Sequence, residues 1–460
     1  MSEKETVFEE VQTISKAFIG VDRDYVIKVL GMSGHTPDCA GAVGISYFVQ
    51  LINGAFVIYN KRDGSQFDKP ATDKQFWSSA GLGSDNPIDP RILFVPNAGD
   101  YSKGQFIAAQ VNNHNDVMIA TSNPINPDLV MLNNWKGFKI EFPGTRPDFT
   151  RLGYDNDGVY VVVTDMDPQS KHSGGSCIAY IPRPQAFKWP LDVSNITILP
   201  TIGRDQVGET LYPVISGASS KFGYFIGADT SSDPRCNLTF ALMQKSPSPV
   251  IVSMGKIGVE PYTEAKRAHQ PLDTNYASII VGGQGIPSAP YFDGKYIWVT
   301  HAISINDYCA VRWYRLFINN YNSMPILDAW GEIKDESEYV HYDFFNPSIV
   351  ALNGTDRAVI ALTRSGDSAT ASSGNAGSYA AIVELKNGKW TTEIVELWKG
   401  GHGQFLTSPA QRWGDYSTVM ADPDTANRPR TFWLTNEYAK GATNFGTMFG
   451  SVLLAPSEES

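Results

Sequence analysis

Seven stretches of this sequence share one form, and their spacing limits what the chain can become. Each opens with an apolar or Pro-containing run, passes through a polar turn, often with Gly or Asp, and continues into a run rich in Val, Ile, Phe, Tyr or Trp. They begin at residues 45, 89, 148, 212, 288, 346 and 412, so from 89 onward the intervals are 59, 64, 76, 58 and 66 residues. β-branched and aromatic runs between turn residues read as strands, and self-similarity near 60 residues reads as stacked units. One small sheet cannot bury both of its faces, so the units must pack on one another. The pattern predicts an all-β fold, a seven-bladed β-propeller with six or eight blades as alternatives. Its four-stranded sheets stand radially and protect one another's edges. A jelly roll or a set of β-sandwiches would show strands without this recurrence.

The chain has 460 residues, more than one ordinary core supports. A repeat architecture escapes that limit by adding units. Charged residues are only 18%, low for solvated helices, and 41 Gly with 28 Pro supply turns along the whole length. Asn53-Gly54 lies between two apolar runs (45–60) and predicts a hairpin. Residues 2–17 read as a helix or a loose arm. The expected organisation is an N-terminal arm over 1–24 and one propeller domain over 25–456. Closure of the ring is expected to join strands from the two termini, with 448–455 and 25–30 as the candidates.

Net charge is −11 and no run of Lys or Arg occurs, which argues against nucleic acid and anionic membrane as partners. No stretch reaches the ~20 apolar residues of a membrane span, and residues 1–18 lack the apolar core of a signal peptide. A soluble protein is expected. Cys39, Cys177, Cys236 and Cys309 match no zinc spacing and read as free thiols, with two disulfides as the alternative. Phosphate loops, dinucleotide-binding glycine runs and the Gly-x-Ser-x-Gly elbow are absent from the sequence.

In a propeller the innermost strands line the central channel, and their first residues converge at one mouth, the default ligand site of the fold. The residues at those positions are Asp89 and Arg91, Arg146 and Asp148, Tyr212, Ser288, Asn346, Arg412, Asp415 and Tyr416, with His35 just upstream of the first unit. The leading expectation is ligand or partner binding at this mouth, through Arg146, Tyr212, Asn346, Arg412, Trp413, Asp415 and Tyr416. A glycan or a protein is the expected partner. Asp148 and Asp415, with Asn346 and backbone carbonyls, form the candidate metal site for Ca²⁺, a hard cation that gathers six to eight oxygens. No other cofactor is expected. The alternative is a carbohydrate-active enzyme. A glycoside hydrolase needs two carboxylates at suitable separation. A polysaccharide lyase wants a His or Tyr base and an Arg to neutralise the substrate carboxylate. His35, Tyr212, His301, Arg412 and Tyr416 are the catalytic candidates. Against both stands a structural role, in which an Asp at a turn accepts backbone N–H bonds and a neighbouring Arg pairs with it.

Three segments carry a resemblance. "RWGDYS" with "TFWLTNEY" (411–438) resembles the final blade of bacterial, often exported β-propeller proteins of the sialidase-like, BNR-repeat superfamily. "AVGISYFVQLINGAFVIYNKRDG" (42–64) is similar to the first hairpin of that group, and residues 118–167 are similar to its second-to-third blade passage. The resemblance implies the propeller fold and an extracellular location. It implies no activity, because the group is mostly without assigned chemistry. Asp-boxes and a triad of arginines, which sialidases carry, are not found in this sequence.

Overall fold

The computed structural model describes residues 14–456 except 33–35, 84–85, 98–99, 113–115, 167–172, 184–187, 190–191, 209–210, 219, 230–233, 266, 272–277, 282–287, 336–340, 368–373 and 402–411. Its described helices are short, and strands dominate. The first sheet is Ala40–Val43, Tyr47–Ile52 and Ala55–Asn60, with the Asn53-Gly54 turn closing its hairpin and Gly54 at φ +91°. The second is Pro87–Asn97, Asp100–Asn112, Val117–Ser122 and Trp135–Ile140. The third runs from Pro147–Asp155 through Gly158–Met166 and Ser173–Pro182 to Thr197–Ile198. Each is antiparallel and visits its strands in chain order, as short turns between successive strands require.

The next two groups are Leu211–Pro213, Phe222–Ala228, Arg235–Gln244 and Val250–Glu264, then Tyr291–Phe292, Tyr296–Ile305, Tyr308–Phe317 and Ile326–Ile333. They are hydrogen-bonded to each other through Thr263–Ser304 and through the short parallel pair Ile215–Ser216 and Tyr291–Phe292, so their strands form one nine-stranded sheet. The 76-residue interval falls here and holds the long strand Val250–Glu264 and an added pair, Arg267–Ala268 with Ile279–Ile280. A further sheet is Tyr342–Ala351, Arg357–Gly366, Gly377–Lys386 and Lys389–Trp398. The last holds Thr418–Ala421, Thr431–Gly441, Asn444–Leu453 and, from the other end of the chain, Ile14–Asp22.

Each group shares a core with the next, all the way round. Val95, Ile107 and Val161 join the second sheet to the third, and Tyr160, Phe225 and Met243 join the third to the following group. Trp298, Trp313 and Ile360 lie between the fifth group and the sixth. The ring closes where Phe48 and Tyr59 of the first sheet meet Trp433 and Phe449 of the last, with Phe449 stacked 4.9 Å from Phe48 and 4.3 Å from Tyr59 between centroids. The first strands of the sheets, from Ala40–Val43 round to Thr418–Ala421, contact one another in the same cyclic order and surround one axis. The fold is a β-propeller.

Closure differs from the sequence expectation at the N-terminus. Asn444–Leu453 is indeed one partner, but the other is Ile14–Asp22, inside the expected arm, and Arg23–Lys28 is a helix capped by the Asp22 carboxylate. Residues 14–22 carry Ile, Ala, Phe and Val, which suit a strand. Residues 23–28 begin with an Asp N-cap and alternate poorly. The first unit also begins earlier than its hairpin, since Ala40–Val43 is the axial strand. All four cysteines are free thiols, and Cys39, Cys177 and Cys309 are buried.

Two outcomes test this packing. Deleting residues 1–22 unpairs the edge of Asn444–Leu453 and should lower the melting temperature by about 10 °C or more, read by circular dichroism. Trp413→Ala empties a fully buried site and should cost about 3–5 kcal/mol in a denaturant titration.

Candidate functional site at the channel mouth

The axial strands share a kink near their starts. Asp38, Asp89, Phe149 and Asn346 all have left-handed backbone, with φ of +47°, +56°, +51° and +48°. At the last three the strand register slips, the mark of a bulge. Asp and Asn tolerate this conformation, whereas Phe149 holds it at a cost that the surrounding packing must supply. Prolines flank the kinks in sequence: Pro37-Asp38, Asp89-Pro90, Pro147-Asp148 and Asn346-Pro347. The bulges turn the opening residues of several sheets toward the axis.

A hydrogen-bond network ties these openings together. Asp38 accepts the Asp415 backbone N–H at Oδ1 (2.7 Å) and the Asn53 side-chain amide at Oδ2 (2.8 Å). Asn53 Oδ1 in turn accepts the Asp89 N–H (3.2 Å), and the Asp89 carbonyl accepts the Thr150 hydroxyl (3.0 Å). On the other side the Asn346 amide donates to the Gly414 carbonyl, and the Ser417 hydroxyl donates to the Asn346 carbonyl (2.7 Å). The Gly414 N–H donates to Glu437 Oε2 (2.7 Å). A Cβ on Gly414 would lie 2.9 Å from that oxygen and 3.1 Å from the Asp38 nitrogen, so the glycine of "RWGDYS" permits this close approach.

The mouth is crowded with carboxylates. Burial, and then the charge of Asp415, push Asp38 up to about 7. Asp89 is raised well above the usual carboxylate range by burial and then by Asp38, Asp148 and Asp415. Burial also raises Asp415, against the pull of Arg412 and Arg91. Glu437 is raised well above its ordinary value, by burial first and by Asp38 and Asp415 after it. Arg412 is the outward counter-charge. Its guanidinium lies 3.2 Å from the Asp415 carboxylate, and its side chain is 59% exposed against 15% for Asp415.

Beneath the carboxylates lies a layer of arginine and aromatic rings. The Arg91 guanidinium carbon sits 3.3 Å from the centre of the Tyr416 ring. Its Nε donates to the Thr150 carbonyl (3.2 Å) and its Nη2 to the Tyr212 hydroxyl (2.8 Å). The Tyr416 hydroxyl donates to the Pro90 carbonyl (2.5 Å). Past this layer the channel widens into a cavity of about 370 Å³. Its lining is buried at Arg91, Tyr212 and Ser288 and exposed at Gly217, Gly294 and Asn353, so it opens at the opposite end of the ring.

The residues expected from sequence fall into distinct groups. Asp148, Arg412 and Asp415 lie at one mouth within electrostatic reach of one another. Arg146 is exposed immediately before the third sheet, with its N–H on Asp165 (3.0 Å). Asn346, Trp413 and Tyr416, expected as ligand contacts, are buried, and Asn346 and Tyr416 hydrogen-bond backbone carbonyls of the mouth. Tyr212 is buried as well and faces the cavity instead. His301 is no catalytic candidate: it is buried with Nε2 2.9 Å from the Tyr314 hydroxyl, and burial drives its pKa down to about 3. His35 lies outside the described residues. Sequence reasoning passed over Asp38, although "TPDC" carries the same Pro-Asp step as 147–148. It also missed His269, whose Nδ1 is 2.9 Å from the buried Asp343 carboxylate 74 residues later and whose ring packs 4.6 Å from Tyr308. Among the described residues, no three His, Cys, Asp or Glu side chains are grouped to hold a metal ion. No described helix is long and apolar enough to cross a membrane.

No family model matches this sequence, and no curated protein matches it significantly. Solved structures with a similar course include the polysaccharide lyase Uly1, at 9% identity over 93% of this chain and 92% of that one with a TM-score of 0.45. Extracellular domains 1–2 of Drosophila Semaphorin 1a align at 10% identity over 93% and 88%, with a TM-score of 0.44. A subtype N10 neuraminidase-like protein of A/little yellow-shouldered bat/Guatemala/060/2010 aligns at 11% identity over 76% and 95%, with a TM-score of 0.36. Likeness at this level carries no information on activity, and the ring rests on its own strand pairings and cores.

The raised carboxyls have a consequence for pH. An aspartate titrates near 4 in an unfolded chain, whereas Asp38 in the fold keeps its proton to about 7. Stability from such groups is fully present below the unfolded value and is lost as pH rises through the folded one. The melting temperature should therefore fall between about pH 4 and pH 7, and Asp38→Asn, which cannot ionise, should flatten the fall. An unchanged slope in the variant would contradict the assignment.

Proposed function

We propose that this chain is a ligand-binding propeller of seven blades, counting the nine-stranded sheet as two, and that its ligand sits on the carboxylate-lined mouth. The supporting observation is the convergence of Asp38, Asp89, Asp148 and Asp415 from separate sheets, where burial and then neighbouring carboxylates raise the proton affinity of Asp38, Asp89 and Asp415, with Arg412 as the outward counter-charge. Like charges held together cost stability unless something relieves them. A polyhydroxylated ligand would do so, because sugar hydroxyls donate to carboxylates and accept from guanidinium groups. Asp89, Asp148, Asp415 and Arg412 are the proposed contacts, and a glycan is the proposed ligand. Calcium belongs to the same proposal as a bridging ion on Asp148 and Asp415, completing its shell from backbone carbonyls and water.

Asp89 favours a second reading. It is half-buried, and burial and then the charges of Asp38, Asp148 and Asp415 raise its hold on a proton; a carboxyl with raised proton affinity next to carboxylates is the equipment of glycoside hydrolysis. In that reading Asp89 is the general acid, and Asp415 or Asp148 is the base or nucleophile.

The test is a thermal-shift and calorimetric screen of neutral oligosaccharides, uronic-acid oligosaccharides and calcium chloride. At least one should raise the melting temperature of the intact protein, with the gain lost in Asp415→Asn or Asp148→Asn. Identical responses of parent and variants to every probe would refute the mouth as the site. Release of reducing sugar in the same mixtures, abolished in Asp89→Asn, would select the hydrolase reading over binding alone.

A further inference from the structure

The cavity behind the mouth is chemically unlike it. Its walls are apolar, formed by Ile92, Leu152, Ile349, Val350 and Val419 from four sheets. Its volume, about 370 Å³, lies within the range of small-molecule sites. Two buried residues give the lining polar groups, Arg91 at 9% exposure and Ser288 at 6%.

Each has an unused donor. The Ser288 hydroxyl has no hydrogen-bond partner among the described residues. Arg91 uses Nε and Nη2, on Thr150 and Tyr212, while Nη1 makes no hydrogen bond among the described residues. Behind Tyr212 a second guanidinium, Arg151, is fully buried. Nη2 bonds the Thr164 hydroxyl (2.8 Å), while Nε and Nη1 make no well-formed hydrogen bond among the described residues, and the group packs 4.6 Å from the Phe149 ring and 5.0 Å from the Tyr212 ring. Neither arginine forms a salt bridge within 4.0 Å among the described residues, although Asp38 and Asp89 face Arg91 from the mouth side. Buried cations without carboxylate partners are uncommon, because desolvation is repaid only by a close anion. At the open end the acidic groups are committed elsewhere. Asp422 pairs with Lys61 (2.6 Å), and Asp293 accepts the Trp298 indole N–H (2.8 Å).

We infer that this cavity is a second ligand site, for a small amphipathic carboxylate. The apolar tail lies along the channel, and the two carboxylate oxygens accept from Arg91 Nη1 and the Ser288 hydroxyl. A planar head with two acceptors matches the two donors and suits a guanidinium. The Arg91–Tyr416 layer stands between this site and the mouth.

Calorimetry with decanoate, decanol and acetate tests it. Decanoate should bind saturably to the intact protein, about tenfold or more tighter than decanol, which lacks the charge. Acetate, which lacks the tail, should give no measurable heat. Arg91→Gln should remove the preference for decanoate over decanol. Should that variant fail to fold, Val419→Phe fills the cavity without replacing Arg91 or Ser288 and should abolish binding of decanoate. No saturable binding of decanoate, equal affinity for decanol, or unchanged binding in Val419→Phe would each overturn the inference.

Discussion

Pairing of Ile14–Asp22 with Asn444–Leu453 is the constraint on which the rest depends. It places the two ends of the chain in one sheet, and that sheet then packs Trp433 and Phe449 against Phe48 of the first. Without closure, the sheets at the two ends would each leave one apolar face uncovered. With it, axial strands far apart in sequence share one axis. Asp38 and Asp415, separated by most of the chain, then share a hydrogen bond.

The same closure explains why the mouth is both rigid and strained. Side chains that meet on an axis approach from all sides, and the backbone gives way by bulging at Asp89, Phe149 and Asn346. Amide donors neutralise part of the negative charge. Asp38 receives the Asp415 backbone N–H and the Asn53 side-chain amide, and Glu437 receives the Gly414 N–H, while Arg412 and Arg91 supply cations above and below. The arginine–aromatic layer has another effect. It divides the channel into a polar mouth and an apolar cavity, so one ring presents two chemical environments.

Much of this was legible in the sequence, and the limits have physical causes. The all-β character and the recurrence follow from strand-forming runs and turn residues, and Asn53-Gly54 marks its hairpin because few other pairs accept that backbone. Asp148 and Asp415 could be chosen because both open an axial strand. The closing strand at 14–22 was hidden because an edge strand needs only one patterned face, and six helical residues follow it at once. Trp413 and Tyr416 read as ligand contacts because they open a strand among polar neighbours, and the inter-sheet cores take them in. His269 and Asp343 could not be paired from sequence, since only the ring brings residues 74 apart into contact. Asp38 was readable in principle. Its Pro-Asp step repeats at 147–148, and alignment of the axial strands on their prolines would have found it.

The central claim is that closure concentrates carboxylates from separate sheets at one mouth, and carboxyl-carbon NMR titration of aspartate-labelled protein tests it most directly. The account expects at least one aspartate resonance to titrate near pH 7, and expects its midpoint to drop when Asp415→Asn removes a neighbouring charge. If every aspartate titrates near pH 4 in both proteins, the carboxylates do not share a site and the account is wrong.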